Sequence, residues 1–438
     1  MAKIIPFCGI LFNRDKIRDL RSVMAPPYDC ISEEMQEELY SSNPYNVVRL
    51  ILGKTTPEDT ENSNRYTRSA QTLNEWLGNG ILVQDAEPAI YIYDQGYQDE
   101  DGAPITRRGF LALVRLEDFS TGTVKPHERT LDGPKNDRFM LMKACKANLS
   151  PIFALYSDPT FALEAILNHH RKREPDIAVR YNNEQHNLWR VTDESPITIC
   201  RTLLNDKPLL IADGHHRYET ALRYRDLMRE QMPDYTGREL FNYALMYFCN
   251  MEDPGLTVFP IHRLLSRLDA MDEATFLDKV APLFVVQPDA FDADDPVSCK
   301  RVRNTLAEKK HTFAWYPGGK KLYFMTLRDL EVMDKHFQGN VPQQLKTLDI
   351  SILHKLIFED LFHISEEDQR NEKYIRYVNN FAEALHAVRK NEAQMAFLLN
   401  LTRICEVREV ANHGGKMPQK STYFYPKLLS GLIFNKLA

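Results

Sequence analysis

The order of apolar and polar positions divides the chain into short strands interleaved with amphipathic helices. Ser32, followed by Glu33 and Glu34, opens a helix to about Ser41, because serine caps helix N-termini and an acidic first turn suits the helix dipole. Val47 to Leu52 reads as a strand after the Asn43-Pro44 break. Apolar positions at helical spacing predict a helix over 64–79 that ends near Gly80. Ala89 to Tyr93 and Arg108 to Leu116 alternate as strands about a polar turn at 99–104, which predicts an antiparallel hairpin with Tyr91 and Tyr93 on one face. Helices follow at 136–147, 159–174 and 195–204, with strands at 151–156, 187–192 and 207–212. Ala221, Leu222, Tyr224 and Leu227 mark a helix over 216–231. Strands are expected at 244–248 and 257–260. Segment 284–297 is turn-rich and acidic and reads as a hinge or surface loop. Strands at 311–316 and 321–327 flank Pro317-Gly318-Gly319. Helices at 349–361, 380–390 and 403–412 and a strand at 395–401 complete the pattern. Such interleaving predicts an α/β or α+β fold.

Length divides this pattern into about two to four folding units, since domains run to roughly 100–200 residues. The expected division is an N-terminal α+β segment over 1–119, a core over 120–283 and a C-terminal α+β segment over 284–438. The net charge is −6, which gives no global basic face for neutralising nucleic-acid phosphates, so DNA is not the expected partner. No run of about 18 apolar residues predicts a membrane span. The Met-Ala-Lys-Ile-Ile-Pro-Phe start lacks the pattern of a signal peptide, so a cytoplasmic location is expected. Seven scattered cysteines without a Cys-x-x-Cys pair fit a reducing compartment and no structural zinc cluster.

The chemistry concentrates in three places. Leu209-Leu210-Ile211-Ala212-Asp213-Gly214-His215-His216-Arg217 runs an apolar strand through a glycine directly into a helix. The first amides of a helix lack intrahelical partners, and its dipole is positive there. With His215, His216 and Arg217 over the same spot, a phosphate or carboxylate is the expected ligand. Asp213, at the strand end, can hold a metal ion or take a proton. Lys125-Pro126-His127-Glu128-Arg129-Thr130, with Lys135, Asp137 and Arg138 beyond it, suits acid–base work or phosphate contact. Lys416 to Lys427 packs lysines, hydroxyls and aromatics into twelve residues, and places Lys420 and Ser421 on a loop that could close on a phosphate. It is not a P-loop, since Gln419 stands where glycine is required and the strand–loop–helix context is absent. Two smaller elements are Ala25-Pro26-Pro27-Tyr28-Asp29, a rigid arm, and Pro260-Ile261-His262-Arg263. Gly-x-Gly-x-x-Gly, Gly-x-Ser-x-Gly and His-Glu-x-x-His motifs are all missing, which removes the standard dinucleotide, hydrolase and zincin readings.

Taken in order, Ala25 to Asp29, Lys125 to Thr130, Ala147-Asn148-Leu149-Ser150-Pro151-Ile152-Phe153, Asp213 to Tyr218, Pro260 to Arg263 and Met417 to Lys427 resemble the domain-of-unknown-function family ten-fifteen over nearly the whole chain. Cys30 and Gln419 depart from that pattern, where valine and proline are expected. The Asp-Gly-His-His-Arg core is also similar to the Gly-x-x-Arg phosphate motif of the ParB and sulfiredoxin superfamily, which includes free-serine kinases. That resemblance implies a ParB/sulfiredoxin-like mixed core around 120–265. It puts Gly214 and Arg217 on phosphate and Asp213 and His216 at the reacting centre, and the residue types themselves add His215, Lys420 and Ser421 as expected phosphate contacts. His127 and Glu128 would add acid–base groups, and Asp213 or Glu128 would hold magnesium. The implied activity is phosphoryl transfer on a small phosphorylated metabolite, serine or phosphoserine being favoured, with ATP or ADP as cofactor. The alternatives are a ParB-like nucleotide-binding, DNA-associated regulator and a non-catalytic metabolite sensor. Sulfiredoxin activity is not implied, because His215 and His216 stand where its cysteine is needed.

Overall fold

The computed structural model describes residues 2–99, 102–128, 132–337, 341–418 and 420–437. Arg129, Thr130 and Gln419 lie outside them. The fold is mixed α/β, as the interleaved pattern predicts. It divides into two compact units, each discontinuous in sequence: Met1–Pro126, Thr130–Thr257 and Pro426–Ala438 form one, and His127–Arg129 with Val258–Tyr425 form the other.

The first unit is built on a mixed sheet. Its main strands, in spatial order, are Ile177–Tyr181, Glu184–Val191, Ile90–Gln98, Gly109–Arg115, Tyr243–Asn250, Ile152–Tyr156, Leu209–Asp213 and Val124–Lys125. This order corrects the expected three-way division of the chain. Strands from 1–119 pair directly with strands from 120–283, as in Tyr91↔Leu111↔Tyr247. Near the C-terminus, Asn435–Lys436 pairs with Ala147–Asn148. Backbone hydrogen bonds therefore tie these segments into one folding unit. One sheet face, with Ile92, Phe110, Ala154, Ile211 and Phe248, packs on Leu163, Ile197, Cys200, Leu204, Tyr218 and Ala221 from three helices.

Buried charge in this unit is paired. Arg171 donates to both Asp94 oxygens at 2.8 and 3.0 Å and to Glu164 at 2.9 Å, with all three side chains at most 10% exposed. Arg171→Ala strands two buried carboxylates, so we expect a loss of about 3–5 kcal/mol. Urea unfolding of the variant against wild type measures it.

The second unit has an antiparallel sheet ordered Phe284–Ala290, Lys321–Leu327, Thr312–Tyr316, Met395–Leu398, His262–Leu265, Ile375–Val378. Val302 and Leu306 of the Pro296–Glu308 helix, and Leu385 and Val388 of the Phe381–Arg389 helix, pack on Ala314, Tyr316, Phe324 and Leu398. Two expectations are corrected. Phe284–Ala290 is a strand rather than a hinge, paired over its full length with Lys321–Leu327. Pro288 is tolerated because this strand lies at the sheet edge, where a missing N–H breaks no second ladder. In the first unit, Val48–Ile51 is a helical turn rather than a strand. The Asn46 carboxamide oxygen accepts from the Val48 amide at 2.9 Å and starts the turn.

Candidate functional site

The strand Leu209–Asp213 delivers the site. It pairs antiparallel with Ile152–Tyr156 as Leu210↔Leu155 and Ile211↔Ala154, then slips so that Asp213 faces Phe153. Such a bulge bends the strand and re-aims the side chain beyond it. Gly214 follows at φ 92°, and the helix His215–Gln231 begins at once, its first intrahelical bond running from the Tyr218 amide to the Gly214 carbonyl. The amides ahead of Tyr218 thus sit at the positive end of a 17-residue helix. Tyr218, fully buried, locks the helix: its hydroxyl donates to the Glu117 carbonyl at 2.7 Å and accepts from the Glu117 amide at 3.1 Å.

Asp213 is the centre of the cluster. Its Oδ2 accepts from Arg217 Nη2 at 2.8 Å, and its Oδ1 accepts from Lys427 Nζ at 3.1 Å. Burial pushes the carboxyl pKa up, but Lys427 and Arg217, with His215 behind them, more than offset it and hold Asp213 well below the usual carboxylate range. Arg217 also donates to the Pro151 carbonyl. A Cβ on Gly214 would lie 2.8 Å from Arg217 Nε. Position 214 therefore requires glycine twice, for its left-handed backbone and for room beneath the guanidinium. Gly214→Ala is expected to displace Arg217 and weaken anion binding by about tenfold or more. Calorimetric titration with inorganic phosphate checks this, and an unchanged far-UV spectrum would separate the effect from misfolding.

Lys427 is aimed by its own backbone. The buried Gln95 donates to the Lys427 carbonyl at 2.9 Å, and the fully buried Arg107 donates to the Pro426 carbonyl at 2.6 Å. The Tyr28-Asp29 arm comes to the same place. Arg138 stacks over the Tyr28 ring at 3.9 Å and donates to Asp137 Oδ2 at 2.7 Å. Tyr28 is pushed up to about 12 by burial and by Asp29, against the pull of Arg138 and Arg217. Its phenol is therefore protonated across the physiological range and can donate a hydrogen bond. Tyr28, Arg138 and Arg217 line a small cavity of about 50 Å³ with Asn148 and Ser150. His216 is half-buried, and burial lowers its pKa, with Lys135 and Arg217 adding to the shift against Glu219 and Asp29. Its imidazole is the neutral, proton-accepting form at neutral pH. His215 is buried.

Of the other sequence-predicted residues, His127, Glu128, Lys420 and Ser421 fall in the second unit and form a cluster of their own. His127 is fully buried, with Nε2 2.9 Å from Thr422 Oγ1. Its carbonyl accepts from the Met417 amide at 2.7 Å. Glu128 Oε1 accepts from the Lys420 amide at 2.9 Å, and the Lys420 carbonyl accepts from Arg263 Nη2 at 2.8 Å. The Lys420 backbone is left-handed, at φ 56°, and its side chain is exposed. Ser421 is buried and donates to the Pro418 carbonyl. Asp213, Gly214, His215, His216 and Arg217 are thus gathered in one unit, and His127, Glu128, Lys420 and Ser421 in the other.

The sequence places Arg138 beside the His127-Glu128 stretch but does not tie it to Asp213, and it does not single out Lys427 as a site residue. Lys427 was visible only as the last lysine of a basic-aromatic stretch, and no spacing rule ties it to Asp213, 214 positions away. Among the described residues no group of three or more His, Cys, Asp or Glu side chains could hold a metal ion. Both Asp213 oxygens face cations, which does not fit a metal held by the protein alone. No described helix is long and apolar enough to cross a membrane.

A family model described as "Protein of unknown function (DUF1015)" matches residues 4–351. No curated protein matches the chain. Among solved structures, a conserved hypothetical protein from Pyrococcus furiosus aligns with 73% of this chain and 92% of its own, at 14% identity and a TM-score of 0.34. A free serine kinase mutant in complex with AMP aligns with 72% of this chain and 87% of its own, at 13% identity and a TM-score of 0.35. SbnI with a C-terminal truncation, from Staphylococcus aureus, aligns with 73% and 85% at 9% identity and a TM-score of 0.32.

Proposed function

The chain belongs to the DUF1015 family, and from the geometry of its Asp213 cluster we propose that it transfers a phosphoryl group to or from a small metabolite, with ATP or ADP as the nucleotide and serine or phosphoserine as the favoured substrate. The observation that carries this reading is the convergence of Arg217 and Lys427 on one carboxylate beside a helix N-terminus. Two cations and a positive helix end around one acceptor suit a phosphoryl group, whose transfer needs charge stabilisation and positioning more than covalent help.

In this reading a phosphate oxygen takes the place of an Asp213 oxygen on Arg217 and Lys427. Arg217 is already oriented by the Pro151 carbonyl, and Lys427 by Gln95 and Arg107, so little reorganisation is needed. Released from its two cations, Asp213 becomes more basic and accepts the proton of the attacking hydroxyl. The neutral His216 is the second acceptor beside it. Tyr28 and Arg138 close the other side of the group, the phenol as donor and the guanidinium as fixed charge. Magnesium, in this reading, arrives on the nucleotide phosphates. On sequence grounds, Lys420 and Ser421 are further proposed phosphate contacts, and His127 and Glu128 further proposed acid–base groups.

The test is phosphorus NMR of the purified chain with magnesium and serine plus ATP, serine plus ADP, or phosphoserine alone. Phosphoserine formation or loss in one mixture, abolished by Asp213→Asn, is expected. No turnover in any mixture would sink the proposal for this substrate pair.

A further inference from the structure

We propose that the second unit carries its own ligand site, a pocket for a free α-amino acid or another zwitterion of that kind. The cavity measures about 380 Å³ and is bounded entirely by residues of this unit. Its walls are of two signs. Arg263, Lys310 and Arg403 supply positive charge, and Asp349, Glu406 and Glu409 supply negative charge.

Arg263 is the first reason to expect a ligand. It is 1% exposed, yet it makes no ion pair with any described carboxylate. Its Nη atoms donate to the Ile261 and Lys420 carbonyls, while its Nε has no hydrogen-bond partner. A buried guanidinium with neutral partners only is costly, and a carboxylate reaching it offsets that cost. On the acidic side, Glu406 Oε2 accepts from the Arg403 amide at 2.8 Å. Burial and the nearby Asp349 raise the Glu406 pKa. An ammonium group between these two carboxylates relieves their repulsion. One ligand carrying both charges satisfies both walls, whereas a simple anion or a simple amine satisfies one.

The backbone around the pocket is also unusual. His311, another lining residue, is held left-handed at φ 53°, and its Nδ1, 3.7 Å from Asp349 Oδ1, has no hydrogen-bond partner. The helix Asp349–Ile352 runs straight into π-helical turns over Leu353–Leu361. Strained residues and π-helical turns concentrate at functional sites, where the surrounding structure holds them. The volume exceeds what an amino-acid head group needs, so the pocket has room for a sizeable side chain.

The experiment is calorimetric titration of the full chain with the free amino acids, using propionate and propylamine as single-charge controls. At least one amino acid is expected to bind saturably while both controls fail. Asp349→Asn and Lys310→Ala, both away from the buried Arg263, are each expected to weaken that binding at least about tenfold. Asp213→Asn is expected to leave it unchanged, which separates this site from the phosphate cluster of the other unit. AMP binding, measured on the same samples, reports on that cluster independently. Failure of every amino acid to bind, propionate binding as tightly as the best of them, or insensitivity to Asp349→Asn would each overturn the proposal.

Discussion

Arg217→Ala is expected to lower phosphoryl transfer by about a thousandfold, with the protein still folded. Removing one preorganised donor from a developing oxyanion costs about 10²–10³ in rate, and removing an arginine that stabilises a transferring phosphoryl group costs about 10³–10⁵. Arg217 qualifies because its guanidinium is fixed at both ends, on Asp213 and on the Pro151 carbonyl. Arg217→Lys keeps the charge but not the planar fork, so it should recover only a small part of the rate. The companion variant Asp213→Asn separates the roles of charge and base. It removes the carboxylate that competes with phosphate for Arg217 and Lys427, so AMP should bind more tightly while kcat collapses. Steady-state kinetics and AMP titration on the same preparations read both effects. Equal losses of binding and turnover in Asp213→Asn would mean that the carboxylate only holds the structure together.

Mild acid is expected to destabilise the chain strongly, through three buried histidines. Burial, aided by Arg107, pushes His186 down to about 3. Burial, aided by Arg263, pushes His262 down to about 3. His354 is driven well below its ordinary value by burial, with Arg263 and Lys355 adding to it. The geometry agrees for His262, whose Nδ1 accepts from the Leu399 amide at 3.2 Å and so carries no proton. In the unfolded chain these groups protonate near 6.5, while in the folded chain they do not until far lower pH. Their contribution is therefore fully present above pH 6.5 and is lost as pH falls towards 3. Each such group costs up to about 1.4 kcal/mol per pH unit where its unfolded form is protonated and its folded form is not, so the three losses add as pH falls below 6.5. Urea unfolding at pH 7.5, 6.0 and 5.0 measures the slope, and His354→Gln should flatten it. A stability independent of pH between 6.5 and 5 would contradict the account. Asp213 acts in the same direction but lower, its contribution being lost only as pH falls below the ordinary carboxylate range.

The sequence made much of the fold legible where a local signal was also the deciding one. Ser32 caps its helix as expected, accepting from the Met35 amide. The Asp213-Gly214 junction and its helix were readable because a glycine between an apolar strand and a helical stripe leaves few alternatives. The Pro317-Gly318-Gly319 turn was readable for the same reason, with both glycines at positive φ. Legibility failed where tertiary partners decide. Val48–Ile51 is a short apolar run, and short apolar runs fit a buried helix or a buried strand equally until their neighbours are known. Phe284–Ala290 looked like a loop because of its Pro and Asp residues, and only its edge position makes it a strand. The same limit governs the site. Asp213, Gly214 and Arg217 lie within one local motif, whereas Lys427, Tyr28 and Arg138 reach it through packing that no spacing encodes.

The measurement that bears most directly on the phosphate site is titration of the purified chain with AMP, for wild type, Arg217→Ala and Lys427→Ala, at two salt concentrations. The Asp213 cluster predicts saturable, salt-sensitive binding that weakens at least about tenfold in each variant. Binding of equal strength in all three proteins, or none in the wild type, would contradict it.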